Sequence, residues 1–92
     1  MRFSLNHRRV VIGHSLSIKV TATGDETIAR VVTRLDSSRV GDDRLDPNEV
    51  QYERVFEQTG GAGPGREHVL VVTATNADGR SQTASLRWQD TV

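Results

Sequence analysis

The alternation in "SLSIKVTAT", residues 15–23, limits what this chain can fold into more than any other feature. Leu16, Ile18, Val20 and Ala22 share one parity, and Ser15, Ser17, Lys19 and Thr21 share the other. Successive side chains of an extended chain point to opposite faces, so this run predicts a strand with one apolar and one wetted face. "IARVVTRL", residues 28–35, alternates in the same way. It groups Ala29, Val31, Thr33 and Leu35 against Arg30, Val32 and Arg34, then meets the turn "DSS". "EHVLVVTATN" places Leu70, Val72 and Ala74 together, and "SQTASLRWQD" aligns Ala84, Leu86 and Trp88. Between these two runs lies "NADG", residues 76–79, whose Asn, Asp and Gly tolerate the positive φ of a tight turn; the pair predicts an antiparallel hairpin. "GDE", residues 24–26, is a second turn. Valine dominates the apolar set, and β-branched residues suit a pleated, half-buried surface better than a helix.

Three segments depart from this pattern. "VGDDRLDPN", residues 40–48, reads as an acidic, turn-rich loop, and "GGAGPG", residues 60–65, as a flexible connector. In "DPNEVQYERVFEQTGG" the local signals conflict. Asp46, Pro47 and Glu49 resemble an N-cap, a first-turn proline and a capping-box acid, and Tyr52, Val55 and Phe56 fall at i, i+3, i+4. Val50, Tyr52 and Phe56 also share a face in period 2, with Arg54 interrupting. Locally the helix signals are slightly ahead.

Ninety-two residues correspond to one small domain, 1–92. Without cysteine there is neither a disulfide framework nor a thiolate metal site. Twelve basic residues balance twelve acidic ones, which argues against a nucleic-acid or membrane-surface partner. Among the basic residues only Lys19 is not arginine, a skew that coding bias explains more simply than phosphate binding. No classical signal peptide is visible in "MRFSLNHRRVVIG", whose apolar character breaks at Asn6–Arg9, and no window approaches a membrane span of ~20 apolar residues. The compartment stays open: cytoplasmic, exported by another route, or a module cut from a longer protein.

Candidate chemistry is sparse. "GHSLS", residues 13–17, is one residue short of the G-x-S-x-G nucleophile elbow, with Ser17 where the final glycine belongs. That elbow needs a strand, a sharp turn and a helix, whereas the residues after Ser15 alternate as a strand. A small serine hydrolase would need a distant histidine such as His68 paired with an aspartate. Asp42, Asp43, Asp46 and Glu49 supply the oxygen ligands a Ca²⁺-stabilised loop uses, without EF-hand spacing and with Arg44 among them. A solvated turn is the simpler reading. His7, His14 and His68 have no metal-ligand spacing, which predicts surface positions for all three. "GGAGPG" lacks the Gly-Lys-Ser/Thr ending of a phosphate loop, and Arg8–Arg9 is too short for a nucleic-acid patch. No cofactor is implied.

Taken together, "GHSLSIKVTAT", "VVTRLDSS", "YERVF" and "GPGREHVLVVTATNADGR" resemble bacterial immunoglobulin-like β-sandwich domains of the fibronectin type III-like and PKD-like kinds. In these domains the penultimate strand often leaves through a T-A-T-x-x-D-G hairpin, as "TATNADG" does here. The resemblance covers most of residues 8–90. It departs from the antibody type in lacking the Cys…Trp…Cys core and the tyrosine corner, for which His68 is the one aromatic-like candidate. It implies an all-β fold, an antiparallel immunoglobulin-like sandwich of about six to seven strands, with Tyr52 and Phe56 facing the core. The alternative is α+β, with residues 47–58 as one helix on an antiparallel sheet. It also implies a non-catalytic interaction or structural module of a bacterial protein, surface-exposed and antigenic. An unidentified protein partner would add a strand along "RRVVIG" or "TASLRW" if those segments lie at an edge.

Overall fold

A computed structural model describes residues 1–10, 13–58 and 67–89. Within them are seven strands: β1 (Arg2–Arg9), β2 (His14–Thr21), β3 (Ile28–Leu35), β4 (Ser38–Arg44), β5 (Gln51–Gln58), β6 (Glu67–Asn76) and β7 (Ser81–Gln89). They form two antiparallel sheets, β1-β2-β5 and β4-β3-β6-β7. The all-β sandwich expected above is the observed architecture. The 60–65 connector and part of "RRVVIG" lie outside the described residues.

The core lies where the alternation puts it. Leu16, Ile18 and Val20 of β2 meet Val31 of β3 and Leu70, Val72 and Ala74 of β6, all essentially inaccessible to solvent. Each side chain of this size contributes ~1.5–3 kcal/mol by leaving water. Phe3, Leu5, Leu86 and Trp88 extend the core between β1 and β7, and Val40 and Leu45 extend it beside β4. Thr33, on the predicted inner face, is fully buried, and its hydroxyl has no hydrogen-bond partner among the described residues.

Residues 47–58 do not form a helix. β5 pairs with β2 from His14↔Gln58 to Thr21↔Gln51, with Tyr52 and Phe56 inside and Val55 58% exposed. A helix would have kept Tyr52, Val55 and Phe56 on one stripe, but the ladder offered by β2 overrides that weak local preference. Val50 does not join the buried face; it precedes the strand and is 55% exposed.

Residues 40–44 are strand, not loop. Asp36 and Ser37, at φ 50° and 72°, form a two-residue hairpin turn between Leu35 and its partner Ser38. That turn folds residues 38–44 onto β3 although Gly and Asp are poor strand formers. Gly41 makes room for β5: a Cβ at this position would lie 2.8 Å from Cζ of Phe56, so a larger residue would have to displace that ring.

The phase of β3 also differs at its start. Ile28 is buried in place of Ala29, because the register to β6 shifts between Ile28 and Arg30. One extra residue there resets which parity faces inward. At the other hairpin, Asn76 Oδ1 accepts from the amides of Asp78 and Arg80 at 3.0 and 2.9 Å, and Gly79 takes φ 86°.

Two substitutions check these assignments by thermal melting. Leu70→Asp buries an unpaired charge and is expected to abolish the cooperative melt; a retained melt would contradict the inner-face assignment. Thr33→Val removes a buried hydroxyl without a partner and is expected to stabilise by ~1 kcal/mol.

Candidate functional site

Two open sheets packed face to face leave two long sides to close, and polar side chains close both. On the β4–β5 side, Asp43 points inward, as does its register partner Val31. The Tyr52 hydroxyl donates to Asp43 at 2.5 Å and Arg54 Nη1 donates at 2.7 Å, joining the two sheets. The Arg54 guanidinium also lies 4.2 Å from the centroid of the Phe56 ring, so its stem runs along the edge while its charge meets both the ring and Asp43. The Tyr52 hydroxyl and then Arg54 hold the Asp43 carboxyl below the usual carboxylate range, against the opposing effect of burial. Burial and the Asp43 carboxylate push Tyr52 from 10.0 up to about 12.

On the β1–β7 side the closing groups are aromatic. Trp88 stacks on His7 with centroids 4.2 Å apart and on His68 at 5.5 Å. His7 Nε2 and His14 Nδ1 share a hydrogen bond of 3.0 Å, which requires one of them to donate and the other to accept. His68 Nδ1 lies 2.5 Å from Asp36 Oδ2, while Asp36 Oδ1 accepts from the amide of Val69 at 2.9 Å. The turn residue Asp36 thereby anchors the start of β6.

The expected surface positions of the histidines are corrected here, since His14 and His68 are each only 6% exposed. Parity was the available signal. His14 precedes Leu16 by two residues, His68 precedes Leu70, His7 follows Leu5 and Trp88 follows Leu86, so all four sit on inward positions. Lacking metal spacing, they were free to serve the core, and among the described residues no group of three or more His, Asp or Glu is placed to hold a metal ion.

The acidic candidates do not converge. Asp42 and Asp43 are neighbours on a strand and point to opposite faces. Asp42 faces outward, where Arg30 grips both its oxygens at 2.8 and 2.6 Å and Arg39 adds a contact at 3.2 Å. The Arg30 hydrogen bonds lower Asp42 from 3.8 to about 2. Asp46 and Glu49 lie in the exposed β4–β5 connection, joined by a backbone bond from Glu49 N to Asp46 O at 3.3 Å.

Ser15 sits on the outer face of β2, opposite Arg8 and Glu57 in register, whereas His14 and His68 point inward. The Asp36–His68 pair has the orientation of half a catalytic triad, but the strand pleat turns Ser15 away from it.

No family model matches this chain, and none of the curated proteins is significantly similar to it. Among solved structures it is similar to a fibronectin(III)-like module of CbhA from Clostridium thermocellum, with 23% identity and a TM-score of 0.57. The superposition covers 98% of this chain and 97% of that one. At this identity the likeness establishes the fold: an immunoglobulin-like sandwich of fibronectin type III kind.

The Tyr52 environment has a measurable consequence. A tyrosine raised from 10.0 to about 12 on folding contributes stability that is complete below pH 10 and is lost as the pH climbs toward 12. Because Tyr52 is the chain's one tyrosine, an ultraviolet absorbance titration reads it directly. The folded protein is expected to ionise near the upper value, and Asp43→Ala to lower the midpoint only in part, since burial is the larger cause. A folded wild-type protein titrating at 10 would contradict the part-buried Tyr52–Asp43 contact.

Proposed function

We propose that residues 1–92 act as one non-catalytic structural or protein-interaction module of a bacterial protein, with β7 as its docking edge. The observation that carries this reading is the chemistry of the four edge strands. β1 carries Arg2, Arg8 and Arg9; β4 carries Arg39, Asp42, Asp43 and Arg44 together with a register shift; β5 carries Glu53, Arg54 and Glu57. Charges and irregular pairing of this sort guard sheet edges against unwanted strand pairing. β7 carries one charge, Arg87, toward its end: Ser81–Gln82–Thr83–Ala84–Ser85–Leu86 has neither charge nor proline, a longer such run than Phe3–His7 of β1, and among the described residues β6 is its one hydrogen-bonded neighbour. An extended segment of a partner protein pairing there would form main-chain hydrogen bonds, with exposed Thr83 and Ser85 beside it.

The catalytic alternative has no support in the geometry around Ser15, and fold likeness alone carries no activity. Surface display, with visibility as an antigen, is the setting in which such a module would work; protease treatment of intact source cells would remove a displayed module and spare an internal one.

The docking edge is tested by comparing the wild type with Thr83→Lys/Ser85→Lys in capture from source-cell extract, followed by amide hydrogen exchange on the captured complex. A partner that protects the β7 amides and is at least tenfold less retained by the lysine variant is the expected result. Equal retention, or protection confined to another strand, would rule out β7.

A further inference from the structure

The outer face of the β3–β4 hairpin carries an unusual pairing. Arg30 lies directly opposite Arg44, and Arg34 directly opposite Arg39. Residues paired in this way project from the same side of the sheet, and like charges facing each other destabilise a sheet. Between the two pairs sit Val32 and its partner Asp42. Four guanidinium groups thus share one face with one carboxylate, in a chain whose formal net charge is zero. Asp42 is already engaged by Arg30 and Arg39, and neither Arg34 nor Arg44 has an ion pair among the described residues.

On the opposite outer face the complement is confined to β5, because β1 and β2 place Arg2, Arg8 and Lys19 on that same face. On β5 the outward positions include Glu53, Val55 and Glu57; both glutamates are exposed, and Val55 at 58% is the most exposed large apolar side chain of the described residues. Lys19 lies opposite Glu53 in register without forming an ion pair with it. The stripes Glu53–Val55–Glu57 and Arg30–Val32–Arg34 therefore share one pattern: charge, valine, charge at period 2. At ~3.3 Å per residue, each puts its two charges about 13 Å apart around a central valine. Arg30 already holds Asp42 in the two-pronged geometry that guanidinium groups prefer for carboxylates, which leaves Arg34 and Arg44 to meet an incoming one.

We infer that the β3–β4 face docks the β5 stripe of a second copy of this chain, Glu53 and Glu57 meeting the arginine pairs while Val55 covers Val32. The two stripes lie on opposite outer faces of the sandwich, so one contact leaves a free stripe of each kind and the assembly grows head to tail instead of closing as a dimer. Both surfaces are small and solvated, so the contact is weak and salt-sensitive. It does not involve the β7 edge, and either surface can fail without the other.

Sedimentation velocity over a range of protein concentrations tests this at about 0.01 M salt, where the Debye length is ~30 Å, and at about 1 M, where it is ~3 Å. The expected result is a sedimentation coefficient that rises with concentration at low salt and stays at the monomer value at high salt. Glu53→Arg/Glu57→Arg and Arg34→Glu/Arg44→Glu are each expected to remain monomeric with wild-type melting curves. Mixing the two restores association, because one retains the arginine face and the other the glutamate stripe. Thr83→Lys/Ser85→Lys is expected to associate as the wild type does. A wild type that stays monomeric at low salt and high concentration would overturn the inference, as would a reversed variant that associates unchanged or a mixture that does not recover. If a reversed variant does not fold, the salt dependence of the wild type still decides.

Discussion

Contact between the inner faces of β2 and of β3 with β6 is the interaction on which the remainder of the molecule depends. Leu16, Ile18 and Val20 are shielded only because Val31, Leu70, Val72 and Ala74 cover them from the other sheet. Neither sheet could bury its apolar face alone, and the hydrophobic gain from joining them opposes the chain entropy of ordering a small domain. Among the described residues ten apolar side chains are buried in this core, a small set for a domain of this size to rest on.

Once the sheets face each other, the open sides become the problem, and the chain solves it differently on each. Beside β4 and β5 it inserts a carboxylate and satisfies it with a phenol and a guanidinium. Tyr52 and Arg54 keep the partly exposed Asp43 carboxylate hydrogen-bonded where the two sheets meet. Beside β1 and β7 it uses flat rings, three imidazoles around Trp88, which fill space while their nitrogens bond to one another and to Asp36. Both closures pin edge strands to the opposite sheet, and both use residues whose chemistry on paper could suggest a metal or catalytic site. In the fold that chemistry serves packing.

What remains for recognition is the exterior. The inner groups are buried between the sheets, so a partner meets edges and outer faces, which is how a sandwich of fibronectin type III kind can carry unrelated functions on one scaffold. The Ser81–Leu86 stretch of β7, which carries no charge, and the arginine-studded face of β3–β4 are separate features of that exterior, one offering backbone and the other charge.

The amino-acid sequence by itself determined the strands whose burial is one-sided. In β2, β6 and β7 the parity of apolar residues placed the inner face correctly, because in an extended chain side-chain direction is a local property. The turns at 36–37 and 76–79 were legible for the same reason, since their residues tolerate the backbone they need. Tertiary structure decided the rest. β4 is a strand because the turn at Asp36–Ser37 folds it back along β3. Residues 51–58 are a strand because β2 presented an unpaired edge, a long-range fact that the helix-like spacing of Tyr52, Val55 and Phe56 could not register. The histidine–tryptophan contact joins residues as far apart as 7 and 88; their parity was visible in the chain, but their meeting was not. Parity acts within one strand, whereas the pairing of strands and the filling of their shared sides depend on which segments meet in space.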